Sequence, residues 1–257
     1  MATEAGPAIN PIEQFSIHPV FPIKVGFSNI DISLTNSGLF MLLAVALSCL
    51  LVAIGARGGS GVPGRMQAMA EMAYEFVAGM VRSAAGEEGM RFFPFVFSIF
   101  LFVLLCNLIG FLPFSFTVTG QIVITAALAL MVFFTVVIIG VKEHGLHFFK
   151  LFVPDGVPLY ILPLVVAIEV ISFLTRPLSH SVRLFANMLA GHITLYVFGS
   201  FVLMLLDAAA VTKALAVLPF AMTIGLEALE LLVAFLQAYV FAMLTCMYLN
   251  DALHPGH

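Results

Sequence analysis

The sequence predicts an all-α, polytopic membrane protein with about five membrane-embedded helices, one amphipathic interfacial helix, and a last pair of helices that are long and strongly tilted. Three observations carry that prediction. The 257-residue chain is 62% hydrophobic and only 9% charged, against about a quarter charged for an ordinary soluble domain. Its mean hydropathy is +1.13. Uncharged runs of roughly 20 residues recur, the length a helix needs to cross a hydrocarbon core about 30 Å thick. The net charge of −4 is small, no basic stretch resembles a nucleic-acid surface, and no nucleic-acid partner is expected.

The elements follow in order. Residues 1–37 hold Pro7, Pro11, Pro19 and Pro22 and a single basic residue, Lys24; they read as an extra-membrane leader without the apolar core of a cleavable signal. Residues 38–257 form one helical membrane domain. Its first span, 38–56, is uncharged. In 64–86, Met66, Met69, Met72, Phe76 and Met80 recur at helical spacing among Arg65, Glu71, Glu75 and Arg82. That pattern suits an amphipathic helix lying at the interface or packed on its neighbours. Segments 92–114 and 120–141 span, the first with Asn107 inside it, and the FLPFSFTVTG between them reads as a tight turn. A polar connection, 142–158, leads to two long apolar segments. Segment 159–206 measures about 72 Å as a helix and segment 215–249 about 52 Å. Neither has a convincing polar turn midway, so strong tilt is the better reading than a break near Pro177. Asp207 and Lys213 mark a solvated turn between them.

Loop charges set the orientation. With the leader outside, Arg57, Arg65, Arg82, Arg91, Lys142 and Lys150 fall in inside loops and only Lys24 and Lys213 outside. Six against two favours that orientation and a cytoplasmic C-terminus. Cys49, Cys106 and Cys246 lie far apart in hydrophobic runs, without metal or redox spacing. They read as small lipid- or core-facing residues, and neither a metal nor a cofactor is expected.

Two cations at membrane depth, Arg176 and Arg183, are the strongest functional signal. Arginine stays protonated in proteins, and placing it at the bilayer centre costs roughly 2.5–3.5 kcal/mol on insertion scales. On a helix of 100° per residue, Glu169, Arg176, His180, Arg183 and Asn187 fall within about 60° of one another, with Ser172 and Thr194 at the border. His192 points nearly opposite to Arg183. The last segment carries its own stripe of Glu227, Glu230 and Gln237, with Thr223 a turn earlier. Buried acids need protons or partners, so two facing acid-and-base stripes read as an ion or proton path. Plainer readings stand beside this one. Arg176, next to Pro177 and Ser179, suits a snorkelling residue near the cytoplasmic end, and Arg183 a structural ion pair. His192 alone suits a hydrogen-bonded core histidine, whereas pairing with Glu230 would make it a relay. Asn107 suits interhelical glue.

At RLFANMLAGH, which contains Arg183, a resemblance becomes specific. Together with Glu230, LQAYVFAMLTCMYL, HPVFPI in the leader and NLIGFLPF after the third helix, it extends over most of the chain and resembles subunit a of the F-type ATP synthases. The resemblance implies a proton-translocating membrane stator subunit without a nucleotide site. Its partners would be a ring of c subunits, b-type peripheral stalk subunits, the remaining subunits of the complex and membrane lipid. It also implies that Arg183 faces the ring carboxylates and separates two offset half-channels. His192 and Glu230 would line the outer one, Asn187 and Gln237 would lie close to the arginine, and Glu169, Ser172 and His180 would border the inner one. Many bacterial members carry an acid where this chain has His192 and a histidine where it has Glu230; the exchange keeps one acid and one imidazole. The implied location is a bacterial inner membrane in preference to a mitochondrial one. A self-contained proton- or sodium-coupled carrier is the alternative of a different class, but it needs internal repeats that the two halves do not share. A purely structural subunit would leave the cost of burying Arg183 unexplained.

Overall fold

The computed structural model describes residues 15–21, 33–56, 64–112, 115–145, 148, 152–153, 158, 160–206 and 210–254. Lys24, Arg57, Lys150 and Asp207, which enter the charge and turn readings above, lie outside the described residues. Within them the regular structure is helical apart from one small hairpin in the leader, where β1 (Pro19–Phe21) pairs antiparallel with β2 (Leu34–Thr35).

Helix α1 (Asn36–Gly55) begins where the Thr35 hydroxyl accepts the Gly38 amide at 3.2 Å, satisfying a free N–H of the first turn. It is apolar all round and mostly exposed, with Leu42 and Leu50 fully on the surface. Such a helix suits lipid, because lipid solvates apolar side chains that water would not. Helix α2 (Arg65–Gly89) buries Val77, Met80, Val81 and Ala85 and exposes Met66, Met69, Met72 and Tyr74. It packs on α1, on α3 (Phe93–Gly110) and on α7 (Val217–Leu253). Gly86, at φ 66°, kinks α2 near its end. A 3-10 turn, Met90–Phe92, then leads directly into α3, so Arg65–Gly110 forms one nearly continuous helical run.

The segment between α3 and α4 (Ile122–His144) corrects the tight-turn expectation. It is an inserted loop: a 3-10 turn, Val118–Gly120, buries Phe116, Thr117, Val118 and Thr119 among the helices. Ten residues are enough to dip inward and return, and the threonine hydroxyls find partners there, as buried polar groups require.

Helix α5 (Leu162–Leu206) is one continuous element of 45 residues with Pro177 inside it. A short α6 (Ala210–Leu215) turns the chain back into α7, 37 residues long. Among the described residues, five helical runs are long and apolar enough to cross a membrane. The all-α, polytopic class predicted from composition holds. Helix α7 packs against both α3 and α5 at the core, where Phe100, Leu184, Met188 and Phe241 are fully buried. The large side chains outside, such as Phe134, Ile138, Leu164, Leu203 and Leu218, are exposed.

Candidate functional site along helices α5 and α7

Helices α5 and α7 hold two polar centres, one toward each end of their contact. In the first, Glu230 of α7 is 5% exposed and rests against α5 at Gly191. A Cβ at position 191 would stand 2.6 Å from the Glu230 carboxyl carbon, so glycine is what lets the acid reach the α5 backbone. His192 Nε2 lies 3.6 Å from Glu230 Oε1 and shares a 3.0 Å hydrogen bond with the Thr117 hydroxyl. One ring nitrogen therefore faces two oxygens. An imidazole nitrogen either donates or accepts according to tautomer, so Nε2 can exchange a proton with the Thr117 hydroxyl, while the Glu230 carboxyl stands just beyond hydrogen-bond reach. Neither Glu230 oxygen has a hydrogen-bond partner among the described residues.

Asn107 of α3 extends this centre. It is completely buried, its Nδ2 donates to the Ala234 carbonyl at 3.0 Å, and its Oδ1 accepts the Thr119 hydroxyl at 2.8 Å. Ala234 is one turn beyond Glu230 on α7. The inserted loop thus reaches α5 through Thr117 and α3 through Thr119. A further polar contact joins α4 to α5, where Thr125 and Ser181 hydroxyls lie 3.2 Å apart.

The second centre lies near the end of α7. Arg176 Nη1 donates to Asp251 Oδ2 at 2.7 Å. Its guanidinium also sits over Phe173, at 5.5 Å, and Tyr248, at 5.1 Å. His180, one turn along α5, is buried with its ring centroid 3.8 Å from that of Phe241 and 6.0 Å from that of Tyr248. Its Nε2 has no hydrogen-bond partner among the described residues.

Arg183 lies between the two centres along α5 but on an exposed face, and it makes no ion pair or hydrogen bond among the described residues. Beside it Ser172, Thr175, Ser179, Ala186 and Ala190 are exposed as well. Asn187 and Glu169 are half-buried.

The stripes read from periodicity are therefore divided by packing. His180 is covered by α7 while Arg183, three residues on, is not. On α7, Glu230 is buried, Glu227 exposed and Gln237 half-buried. Thr194 and Thr223 spend their hydroxyls on their own helices, bonding the Ala190 and Pro219 carbonyls, a common fate of threonine inside helices. The sequence reading missed Thr117, Thr119 and Asp251. The two threonines sit in TVTG at the edge of a span, where hydroxyls are the polar signal; Asp251 had no partner visible from spacing.

Residues 38–250 match the ATP synthase A chain family. The chain is 61% identical over 250 residues to the ATP synthase subunit a of Nitrobacter winogradskyi, covering 97% of this chain and all of that protein. It is 60% identical to that of Afipia carboxidovorans, over 96% of this chain and 99% of the relative, and 61% identical to that of a Chelativorans species, over 97% and 100%. The chain belongs to the ATP synthase A chain family, with its place in the membrane sector of that complex.

Proposed function

We propose that this chain is the proton-guiding stator of the membrane sector, with Arg183 as the barrier between two half-channels that serve the carboxylates of a rotating c ring. The observation that carries this reading is the position of Arg183: exposed, unpaired among the described residues, and set between two polar centres on an otherwise apolar helix. The small side chains beside it, Ser172, Thr175, Ser179, Ala186 and Ala190, let another helix approach closely. A ring carboxylate brought to that face meets a permanent cation, which favours its ionised form and so releases its proton.

The Glu230–His192–Thr117 centre is the outer half-channel in this reading, with Asn107 and Thr119 as its polar wall and Asn187 and Gln237 toward the arginine. A proton arriving at Glu230 or His192 moves through the shared Nε2 and on to the ring. The inner half-channel runs past His180, Ser172 and Glu169, with Arg176 and Asp251 at its mouth. Glu227, exposed on α7, faces the ring or its surrounding lipid. The leader lies outside and the C-terminus inside, in a bacterial inner membrane, with b-type stalk subunits holding the chain still against the ring. Each proton crossing down a potential supplies about 2.3 kcal/mol per 100 mV, which the ring delivers as torque.

The test is ATP-driven proton pumping in inverted vesicles carrying Arg183→Ala beside wild type, with passive leak recorded. Pumping disappears while the complex still assembles, and leak rises or ATP hydrolysis runs without pumping. Normal pumping by Arg183→Ala sinks the stator reading.

A further inference from the structure

The leader reads from sequence as lying outside the membrane domain, yet one of its side chains ends at the polar centre around His192. We propose that Phe15 is a positioning residue for His192, held in place by a strap of leader backbone, and that it keeps Nε2 between Thr117 and Glu230. The inference rests on the proton-path reading above.

Phe15 is only 9% exposed, while Ile17 and Val20 close behind it are 53% and 43% exposed. Of residues 15–20, only Phe15 is buried. Its backbone is fixed at three points. The Phe15 carbonyl accepts from Gln121 Nε2 at 2.7 Å, just ahead of α4. The Ser16 carbonyl accepts from Asn36 Nδ2 at 3.1 Å, and the His18 amide donates to Asn36 Oδ1 at 3.2 Å. The Asn36 amide returns a bond to the His18 carbonyl at 3.0 Å. Asn36 thus ties the strap to the first turn of α1 and Gln121 ties it to α4.

The Phe15 ring lies on Gly120, where an added Cβ would stand 2.8 Å from Cε1. From there it meets the His192 ring edge-on, centroids 6.3 Å apart and planes at 84°. Phe111 approaches the same imidazole at 6.1 Å and 43°. Two aromatic neighbours define the plane of the imidazole, and edge-to-face geometry is directional where aliphatic packing is not. The plane decides whether Nε2 points at Thr117 and Glu230 or away from both. Phe15 carries no titratable group and meets His192 ring to ring, so it acts through orientation.

The experiment uses the assembled complex in inverted vesicles, with Arg183→Ala alongside. Phe15→Ala is expected to lower ATP-driven pumping roughly two- to tenfold, the weight of one edge-to-face pair, at unchanged subunit content and leak. Phe15→Leu keeps apolar volume without a ring and is expected to stay impaired. In a Thr117→Val background, where the one hydroxyl hydrogen-bonded to Nε2 is already gone, Phe15→Ala is expected to cost little more. Wild-type pumping by Phe15→Leu, or losses from Phe15→Ala and Thr117→Val that simply multiply, would mean that Phe15 only fills space. If Phe15→Ala does not assemble, the Leu variant decides alone: impaired pumping supports positioning and normal pumping overturns it. Should Arg183→Ala pump normally, the underlying proton-path reading fails first, and the two failures stay separate.

Discussion

The ion pair between Arg176 and Asp251 allows the sharpest energetic prediction, because its geometry lies between two well-characterised limits. Exposed pairs contribute about 0.2–1 kcal/mol, and breaking a buried pair by removing one partner costs about 3–5 kcal/mol. Here the side chains are 22% and 39% exposed and meet at 2.7 Å. Solvent screening of the aspartate discounts the buried figure, which leaves about 1–2 kcal/mol for Asp251→Ala. Arg176→Ala also removes contacts with the Phe173 and Tyr248 rings, each about 0.5–1 kcal/mol, so it should cost about 2–4 kcal/mol. The double variant should cost less than the two singles added together, by a coupling of about 1–2 kcal/mol. Unfolding of the detergent-solubilised chain by titration with a denaturing detergent measures all three. A coupling below about 0.5 kcal/mol, the ordinary scatter of independent sites, would show that the arginine is held by the two rings and its aliphatic stem, and that Asp251 is incidental.

Other consequences follow from the Glu230 centre. Gly191→Ala should favour the helix by about 0.5–1 kcal/mol in backbone terms, yet it drives a methyl group into the Glu230 carboxyl; pumping should fall about tenfold or more in a complex that still assembles, and unaltered pumping would show that the carboxyl moves aside freely. Thr117→Val should lower pumping by removing the hydroxyl from His192 Nε2, while Thr117→Ser, which keeps it, should restore the wild-type rate in the same vesicles. Asn107→Leu leaves the Thr119 hydroxyl without its acceptor and the Ala234 carbonyl without a second donor. It should destabilise the chain by about 1 kcal/mol in the same unfolding titration.

The fold was legible because apolar run length and scarcity of charge are one-dimensional quantities. Leu162–Leu206 is a helix too long to stand upright in a bilayer, and length alone says so. Which face of that helix is covered is not one-dimensional. A rod of 45 residues meets different neighbours along its length, so a stripe that is narrow in projection splits into a covered His180 and an uncovered Arg183. The leader and the inserted loop were harder still. Phe15 and Thr117 reach His192 across 177 and 75 positions, and neither belongs to a repeating pattern. Asp251 sat at the end of the last apolar run, where an acid suggests water more than a partner 75 positions back.

The α5–α7 contact also shows why a proline lies where it does. From His180 to His192 the rise along α5 is about 18 Å, and from Phe241 back to Glu230 along α7 it is about 16.5 Å. The antiparallel helices are in register over that stretch, which is the stretch that holds Arg183. From His180 back to Arg176 the rise is only about 6 Å, whereas from Phe241 to Asp251 it is about 15 Å. Side-chain reach must cover the difference, and Arg176 is the longest side chain available to do so. Pro177 sits at that junction, with no N–H to give the Phe173 carbonyl. The missing bond weakens the hydrogen-bond ladder at that junction, while α5 runs through it as one continuous helix. Under the proposed function, Arg183 acts as a barrier charge and has to be fixed relative to the groups on either side. Packing in register from His180 to His192 provides that fixity, and the Arg176–Asp251 pair holds the two helices together where their registers part.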